Sequence, residues 1–261
     1  QMNLFASRGV KSLLHEVPAW QVDNQPHPSR GQSNRTHDLL PDWEATVERW
    51  ATEVALPFMA NGTVSGVYIG DELCSHNIYP CWKLGMDPLT KKLRQLLGSK
   101  AILYTNECES SFGNHTTALD RISPDLDYIS FDLYAGLTAG DNASTEVDLV
   151  RNYFESTLSK MMYPHQKLLL VPGLFGCTNV MSLAESSAKA VEKLDAYFQW
   201  AKADTRIAGF AGWHWGNRHS PQYKRGLCNM EVGASSMPDV VAKLREMGRW
   251  IKSHQRRPVR R

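Results

Sequence analysis

Short apolar runs alternate along the sequence with segments of helical periodicity, and this alternation limits what the chain can fold into. The apolar runs are residues 10–14, 64–69, 101–105, 126–131, 167–171 and 207–211. Between them, apolar residues recur every third or fourth position, which is typical of a helix with one buried face. Strands that alternate with helices form a mostly parallel sheet, so the sequence predicts an α/β fold.

Helices are predicted between the strands, in the ranges 41–59, 88–97, 144–161, 182–203 and 238–253. Gly98 is expected to end the second of them, because glycine readily adopts the conformation that follows a helix. The polar segment 18–36 has neither helical nor strand periodicity. We predict that it is a loop over a functional site.

The predicted architecture is a (β/α)8 TIM-type barrel, a closed ring of eight strands. Only six strands are predicted, so either the first two are missing or two irregular strands lie within residues 1–60. We favour the first alternative. A single barrel domain is predicted for residues 1–255, and the arginine-rich tail, 256–261, is predicted to be disordered. The chain begins with Gln1 rather than Met, which we interpret as a processed or trimmed form.

Composition and charge argue against several functions. The chain is 42% apolar and 21% charged, which is ordinary for a globular protein that buries a core. Its net charge is +2, part of which lies in the tail, so no nucleic-acid partner is expected. No run of about 18 apolar residues occurs, so no membrane-spanning helix is expected.

The glycosylation pattern Asn-x-Ser/Thr occurs at Asn34, Asn61, Asn114 and Asn142, never with proline in the middle. Such sites are modified on surface loops of secreted proteins. We therefore predict a secreted, extracellular glycoprotein.

The five cysteines are Cys74, Cys81, Cys108, Cys177 and Cys228. The first two flank a short loop and are predicted to form a disulfide. The remaining three supply one further pair and leave one thiol. No Cys-x-x-Cys pattern and no compact Cys/His group occurs, so no metal or other cofactor is predicted.

Polar and aromatic residues follow the predicted strands, where parallel α/β folds place their working residues. These strand-end candidates are Asp71, Glu72, Asn106, Glu107, Asp132, Tyr134, Trp213, His214 and Trp215. Sugar rings stack on aromatic side chains, and cleavage of a glycosidic bond needs carboxylic acids. The pattern therefore predicts a carbohydrate site.

The Gly-Asp-Glu turn after the strand 64–69 is the most informative motif. A Glu at a partly apolar rim can protonate the leaving oxygen, so Glu72 is the first candidate for the general acid. Asp71 is a second catalytic candidate. The alternative for both is that they cap the following turn.

The partner carboxylate has two candidates. Glu107 follows a neighbouring strand about 4.8 Å away, which suits a retaining mechanism. Asp132 follows the next strand, which suits the wider separation of an inverting mechanism. The alternative for Glu107 is a hydrogen bond to a loop amide, and Tyr134 and Asn106 are substrate-binding candidates.

Trp213 and Trp215 are predicted to form the floor of a sugar subsite, with core packing as the alternative. Strand alternation directs His214 to the other face, where a structural role is favoured over that of a base. His214 is kept among the substrate-binding candidates. Trp20 and Trp82 are candidates for outer sugar platforms.

A strand that ends in Asp-Glu, one that ends in Asp-x-Tyr and a last strand that ends in Trp resemble the chitinase and hexosaminidase type of glycoside hydrolase barrel. The resemblance implies that Glu72 is the general acid, that Asp71 orients an acetamido group and that Tyr134 hydrogen-bonds it. The chitinase string Asp-x-x-Asp-x-Asp-x-Glu is absent, since this strand reads VSGVYIGDE. Asn106-Glu107 resembles the Asn-Glu of many retaining glycosidases, which implies an acid/base role for Glu107.

The sequence therefore predicts a retaining or substrate-assisted glycoside hydrolase that acts on an extracellular glycan or oligosaccharide without a cofactor. The main alternative is a non-catalytic, lectin-like barrel that binds carbohydrate on its aromatic residues. A barrel hydrolase for another bond, such as an amide, shares the predicted fold.

Overall fold

The computed structural model describes residues 11–15, 17–23, 36–74, 81–109, 112, 121–134, 143–178, 181–219 and 230–254. The chain divides into two compact units. The first comprises Gln1–Phe131 with Phe154–Leu168, and the second comprises Asp132–Tyr153 with Leu169–Arg261.

The strands, in chain order, are β1 (Ser12–His15), β2 (Trp20–Asp23), β3 (Thr36–Leu39), β4 (Val64–Asp71), β5 (Ile102–Cys108), β6 (Tyr128–Asp132), β7 (Lys167–Leu170), β8 (Phe175–Cys177), β9 (Ile207–Phe210), β10 (Arg218–His219) and β11 (Met230–Gly233). In the first unit, β1, β4, β5, β6 and the first half of β7 are neighbours in that order. The pairs β1–β4, β4–β5 and β6–β7 are parallel. The hairpin of β2 and β3 is antiparallel.

The helices, in chain order, are α1 (Trp43–Trp50), α2 (Leu56–Ala60), α3 (Asp87–Leu97), α4 (Ala143–Tyr153), α5 (Ser159–Met161), α6 (Leu183–Ala203) and α7 (Pro238–His254). π-helical turns over Ala51–Ala55, Trp82–Met86 and Phe154–Leu158 join or precede several of them. Helix α3 buries Leu89, Leu93 and Leu97, which are spaced four residues apart. It ends at Gly98, whose φ of +80° is in the left-handed half of conformational space.

The second unit contains the second half of β7 beside β9, and a small antiparallel sheet in the order β10-β11-β8. Its core lies between α6, α7 and the segment after β7. The buried core residues are Leu174, Ala190, Leu194, Phe198, Ala234, Met237, Val240 and Met247.

The α/β prediction is confirmed, and the predicted strands and helices are all present in the described residues. Closure into a barrel stays a prediction. The segment 18–36 is not a loop throughout, because Trp20–Asp23 and Thr36–Leu39 pair as β2 and β3. Its predicted place over a functional site stays a prediction. Strands β8, β10 and β11 were missed because none of them forms a continuous apolar run in the sequence.

The predicted disulfide between Cys74 and Cys81 is confirmed, with their Cα atoms 5.4 Å apart. Cys177 is also disulfide-bonded, whereas Cys108 is in the thiol form. Cys228 lies outside the described residues.

Trp82 is not an outer sugar platform. Its side chain is 1% exposed and stacks on Phe112, with the ring centroids 5.7 Å apart. Trp20 is half-buried and packs against Gly85. Trp82 was misjudged because a loop position in the sequence does not reveal what packs over it, whereas the role of Trp20 stays a prediction.

Asn61 is exposed at the turn after α2, as a glycosylation site requires. Asn34, Asn114 and Asn142 lie outside the described residues, as does the tail 256–261. In the described parts of the chain, no helix has the length and apolar character needed to cross a membrane.

Candidate functional site

A β-bulge near the end of β4 positions the polar residues of the first unit. Tyr68 pairs with Tyr104 and Asp71 pairs with Asn106, so three steps along β4 match two along β5. Such a bulge reverses the side-chain alternation beyond it. As a result, Asp71 lies on the same side of the sheet as Tyr68.

The Asp71 carboxylate is held by two donors. The Tyr68 hydroxyl donates to Oδ1 at 2.9 Å, and Asn106 Nδ2 donates to the same oxygen at 2.8 Å. No described residue donates a hydrogen bond to Oδ2, and the residue is exposed. Asp71 therefore presents one oriented carboxylate oxygen to solvent.

The hydrogen-bond network continues across the sheet through Asn106. Ser130 Oγ donates to Asn106 Oδ1, and Ser130 Oγ lies 2.7 Å from the Tyr104 hydroxyl. The rings of Tyr68 and Tyr104 stack with centroids 4.8 Å apart, and His15 contacts Tyr68 at the same centroid distance. The network fixes the Asn106 amide, so that its Nδ2 donor faces Asp71.

Tyr68 serves only as a donor in this network. Burial, aided by the neighbouring negative charge of Asp71, raises the pKa of the Tyr68 hydroxyl far above its usual range. The hydroxyl therefore keeps its proton near neutral pH.

Glu72 directly follows β4 and has a φ of +52°. A non-glycine residue in this left-handed region is strained by roughly 1–3 kcal/mol, and such strain is concentrated at functional sites. The Glu72 backbone N–H donates to Asn106 O at 2.9 Å. This bond holds the turn after Asp71, and the half-buried Glu72 is fixed at the end of the strand.

Glu107 is the next residue after Asn106 and points to the opposite face of β5. Its side chain is fully buried, and Oε2 accepts a hydrogen bond from the Cys74 N–H at 2.9 Å. This is the alternative role anticipated for Glu107, a bond to a loop amide.

The segment Trp213-His214-Trp215 of the second unit forms a rigid, partly exposed platform. Trp213 is 40% exposed and Trp215 is 59% exposed, so core packing of these two side chains is wrong. The peptide bond between Trp213 and His214 is cis. Backbone hydrogen bonds join Trp213 to Pro172 and Leu174, His214 to Ala234, and Trp215 to Ser235.

His214 belongs to an aromatic cluster that includes other predicted residues. Its ring stacks on Phe175 with centroids 5.4 Å apart, and Phe175 contacts Tyr134 edge-on at 5.5 Å. Trp213 contacts His214 edge-on at 5.7 Å. His214 Nε2 lies 3.1 Å from Oε2 of Glu231, a buried carboxylate of β11.

A buried charge cluster lies in the same unit, beneath the segment after β7. Glu146 Oε2 accepts from Lys193 Nζ at 2.9 Å, and both side chains are at most 3% exposed. Glu146 Oε1 also accepts from the Tyr197 hydroxyl and the Gly173 N–H, each at 3.3 Å. Burial and the adjacent Glu146 raise the pKa of Tyr197. The cluster supports Gly173, which forms a β-bridge with Trp213.

The structure thus brings the predicted residues together in two groups. Asp71, Glu72 and Asn106 meet in the first unit, whereas Tyr134, Trp213 and His214 meet in the second. Asp132, the last residue of β6, is half-buried and belongs to the second unit.

Sequence reasoning missed several residues of these groups: Tyr68, Tyr104, Ser130, Glu146, Phe175, Lys193 and Glu231. A usable signal existed for Ser130, because it interrupts an apolar run. A signal also existed for Lys193, because it lies three residues after Ala190 and four residues before Tyr197, on the buried face of α6. In the ranges that the structure describes, no three His, Cys, Asp or Glu residues are grouped to hold a metal ion.

The fold is similar to that of several solved glycoside hydrolase structures. No protein-family model and no curated protein matches the chain. A β-glucuronidase from Ruminococcus gnavus has a TM-score of 0.58 and 11% sequence identity, covering 93% of this chain and 41% of that chain. A GH2 β-galacturonidase from Eisenbergiella tayi bound to galacturonate has a TM-score of 0.56 and 11% identity, covering 94% of this chain and 42% of that one. The chain therefore spans less than half the length of these structures, and the low identity shows a shared fold alone.

Proposed function

We propose that the protein is a glycoside hydrolase that cleaves an extracellular glycan or oligosaccharide, with a TIM-type barrel as its catalytic fold. The observation that carries the proposal is the geometry at the end of β4. There, Asp71 is oriented by two donors and directly precedes a Glu in a strained conformation. The shared fold with glycosidase structures supports the same reading.

In the proposed reaction, Glu72 is the general acid. Cleavage of a glycosidic bond requires a proton on the leaving oxygen, and a half-buried carboxylic acid at a strand end can supply it. Asp71 Oδ2, to which no described residue donates a hydrogen bond, is proposed to face the substrate. It would stabilise the positive charge that develops on the ring in the transition state. Water then attacks the anomeric carbon in place of the leaving oxygen, and the proton it gives up restores Glu72 to its acid form.

Glu107 is assigned a supporting role. Its burial and its bond to the Cys74 amide support the view that it holds the loop after Glu72. Trp213 and Trp215 are proposed to stack on sugar rings, because they are exposed on a rigid backbone and aromatic faces suit apolar sugar surfaces.

The test is hydrolysis of a panel of fluorogenic β-glycosides that includes a glucuronide, a galacturonide, a mannoside and an N-acetylglucosaminide. Glu72→Gln should lower kcat/KM on the best substrate by about 100-fold or more, because general acid catalysis contributes at least that factor. Asp71→Asn should lower it by about 10- to 100-fold. Glu53→Gln, a change at an exposed acid of the same unit, is the matched control and should retain wild-type activity.

A second function, carbohydrate binding without hydrolysis, is favoured by one observation. The predicted partner Glu107 is fully buried, whereas the tryptophans of the platform are exposed. Binding of oligosaccharides by a protein that hydrolyses no member of the panel would establish this lectin-like function. Wild-type turnover by Glu72→Gln would contradict the hydrolase mechanism.

A further inference from the structure

The two ring nitrogens of His214 have different surroundings. Nε2 is buried and lies 3.1 Å from Glu231 Oε2, which is itself buried. At this distance the two atoms do not meet the geometry of a hydrogen bond, so the contact is a close one between an imidazole nitrogen and a carboxylate oxygen. Within the described ranges neither atom has another polar group at hydrogen-bond distance, so each is the other's only polar contact.

The second ring nitrogen, Nδ1, is the one that reaches solvent. No described group hydrogen-bonds to Nδ1. A buried atom in that situation would be without any partner, and Nδ1 is not such an atom, so it is exposed. The His214 side chain is 12% exposed. This small exposed fraction therefore includes a polar atom that is available to a ligand.

The ring cannot easily turn away from this arrangement. Phe175 covers one face of the imidazole, and Trp213 contacts its edge. The His214 carbonyl accepts from the Ala234 N–H at 3.1 Å. The ring is thus held on a fixed backbone beside two exposed tryptophans.

We propose that Glu231 is a positioning residue that fixes the His214 ring so that Nδ1 accepts a hydrogen bond from a hydroxyl group of a sugar stacked on Trp213. This inference rests on the proposed carbohydrate function and names a specific polar contact for it. In this proposal Glu231 acts through His214, because its buried Oε2 is the atom that faces the ring.

The chemistry follows from the single proton of a neutral imidazole. A carboxylate facing Nε2 keeps the proton on that nitrogen, which leaves the lone pair on Nδ1. A lone pair accepts but does not donate, and a sugar hydroxyl is a donor. The aromatic platform and the Nδ1 acceptor therefore match a polyhydroxylated ring with an apolar face.

The first experiment reads the position of the proton in the wild-type protein, labelled with ¹⁵N-histidine, by two-bond ¹H–¹⁵N NMR in mildly alkaline buffer. We expect the His214 proton on Nε2 in the wild type and in Glu231→Gln, whose amide oxygen still accepts. Glu231→Met, which has no acceptor, should lose this preference. The proposal is overturned if the wild-type ring carries a proton on Nδ1, whether the ring is neutral or doubly protonated. Because this result is read in the wild-type protein, it does not depend on the folding of any variant.

The second experiment measures oligosaccharide affinity by tryptophan fluorescence, with cellohexaose, mannohexaose and an oligogalacturonide as probes. His214→Phe keeps the contact with Phe175 and should weaken the tightest complex by about 3- to 10-fold, as expected for one lost hydrogen bond. Glu231→Met should weaken it similarly, and Glu231→Gln should stay within about 2-fold. Glu246→Gln, at an exposed acid of the same unit, should bind as the wild type does.

A double-variant cycle separates positioning from a merely structural role. If Glu231 acts through His214, Glu231→Met costs no further affinity in a His214→Phe background. Independent losses, or no binding of any probe, overturn the proposal. If the protein binds the oligosaccharides but hydrolyses none of them, the proposed hydrolase function fails, and the test of Glu231 and His214 remains valid.

Discussion

The buried ion pair between Glu146 and Lys193 allows a quantitative prediction. The Glu146 carboxylate accepts from Lys193, Tyr197 and the Gly173 N–H. Among the described residues, Lys193 Nζ has Glu146 as its one partner. Replacing Glu146 by Met therefore leaves a buried ammonium group without an acceptor. Breaking a buried pair in this way costs about 3–5 kcal/mol of unfolding free energy.

Lys193→Met is expected to cost less than Glu146→Met. The Glu146 carboxylate would retain the Tyr197 hydroxyl and the Gly173 N–H as donors, so its charge would stay partly compensated. The double variant removes both charges and should be more stable than the two single losses together imply. The assay is urea unfolding followed by circular dichroism.

In a thermal scan, a loss of this size should lower the Tm of Glu146→Met by about 6–20 °C. The matched control is Glu48→Gln, which breaks the more exposed pair of Glu48 and Lys92 at 3.3 Å. An exposed pair contributes about 0–1 kcal/mol, so this variant should be nearly as stable as the wild type. An unfolding free energy of Glu146→Met within about 1 kcal/mol of the wild-type value would refute the reasoning, because a buried ammonium group without an acceptor should destabilise the folded state by more than that.

Two further predictions concern stability. Gly98→Ala should destabilise the protein by about 1–3 kcal/mol, because Gly98 has φ +80° and ψ 172°, a region that is essentially restricted to glycine. Gly248→Ala within α7 should instead stabilise it by about 0.5–1 kcal/mol, and urea unfolding that ranks the two variants in the opposite order would contradict this account. Burial raises the pKa of Asp87, so the ionised carboxylate destabilises the folded state as pH rises through its folded-state pKa. Asp87→Asn should therefore be more stable than wild type above that pH, and equally stable in acid below the pKa that Asp87 has in the unfolded chain. Equal unfolding free energies of the two proteins at all pH values would rule this out.

The elements of the fold were predictable because their signals are local. Helix α6 begins where Ser182 accepts a hydrogen bond from the Glu185 N–H at 3.2 Å, and α3 ends at Gly98. Capping residues and apolar spacing are contained within a few neighbouring positions. The same holds for the disulfide of Cys74 and Cys81, which are close in the chain.

The composition of the candidate site was only partly predictable. Regular alternation separates Asp71 from Tyr68 on β4, yet the bulge brings both to one side and makes Asp71 the partner of Asn106. A one-residue irregularity changes the direction of every later side chain, and no residue pattern in β4 reveals it. Glu107 is adjacent to Asn106 in the sequence but is buried on the opposite face.

The sequence by itself determined the order of strands and helices and the acidic and aromatic character of the strand ends, since both depend on neighbouring residues. Only the tertiary structure decided which of those side chains meet. The contacts of His214 with Glu231 and of Glu146 with Lys193 join segments far apart in the chain. Such contacts depend on register and packing across elements, and these are not encoded in any local pattern.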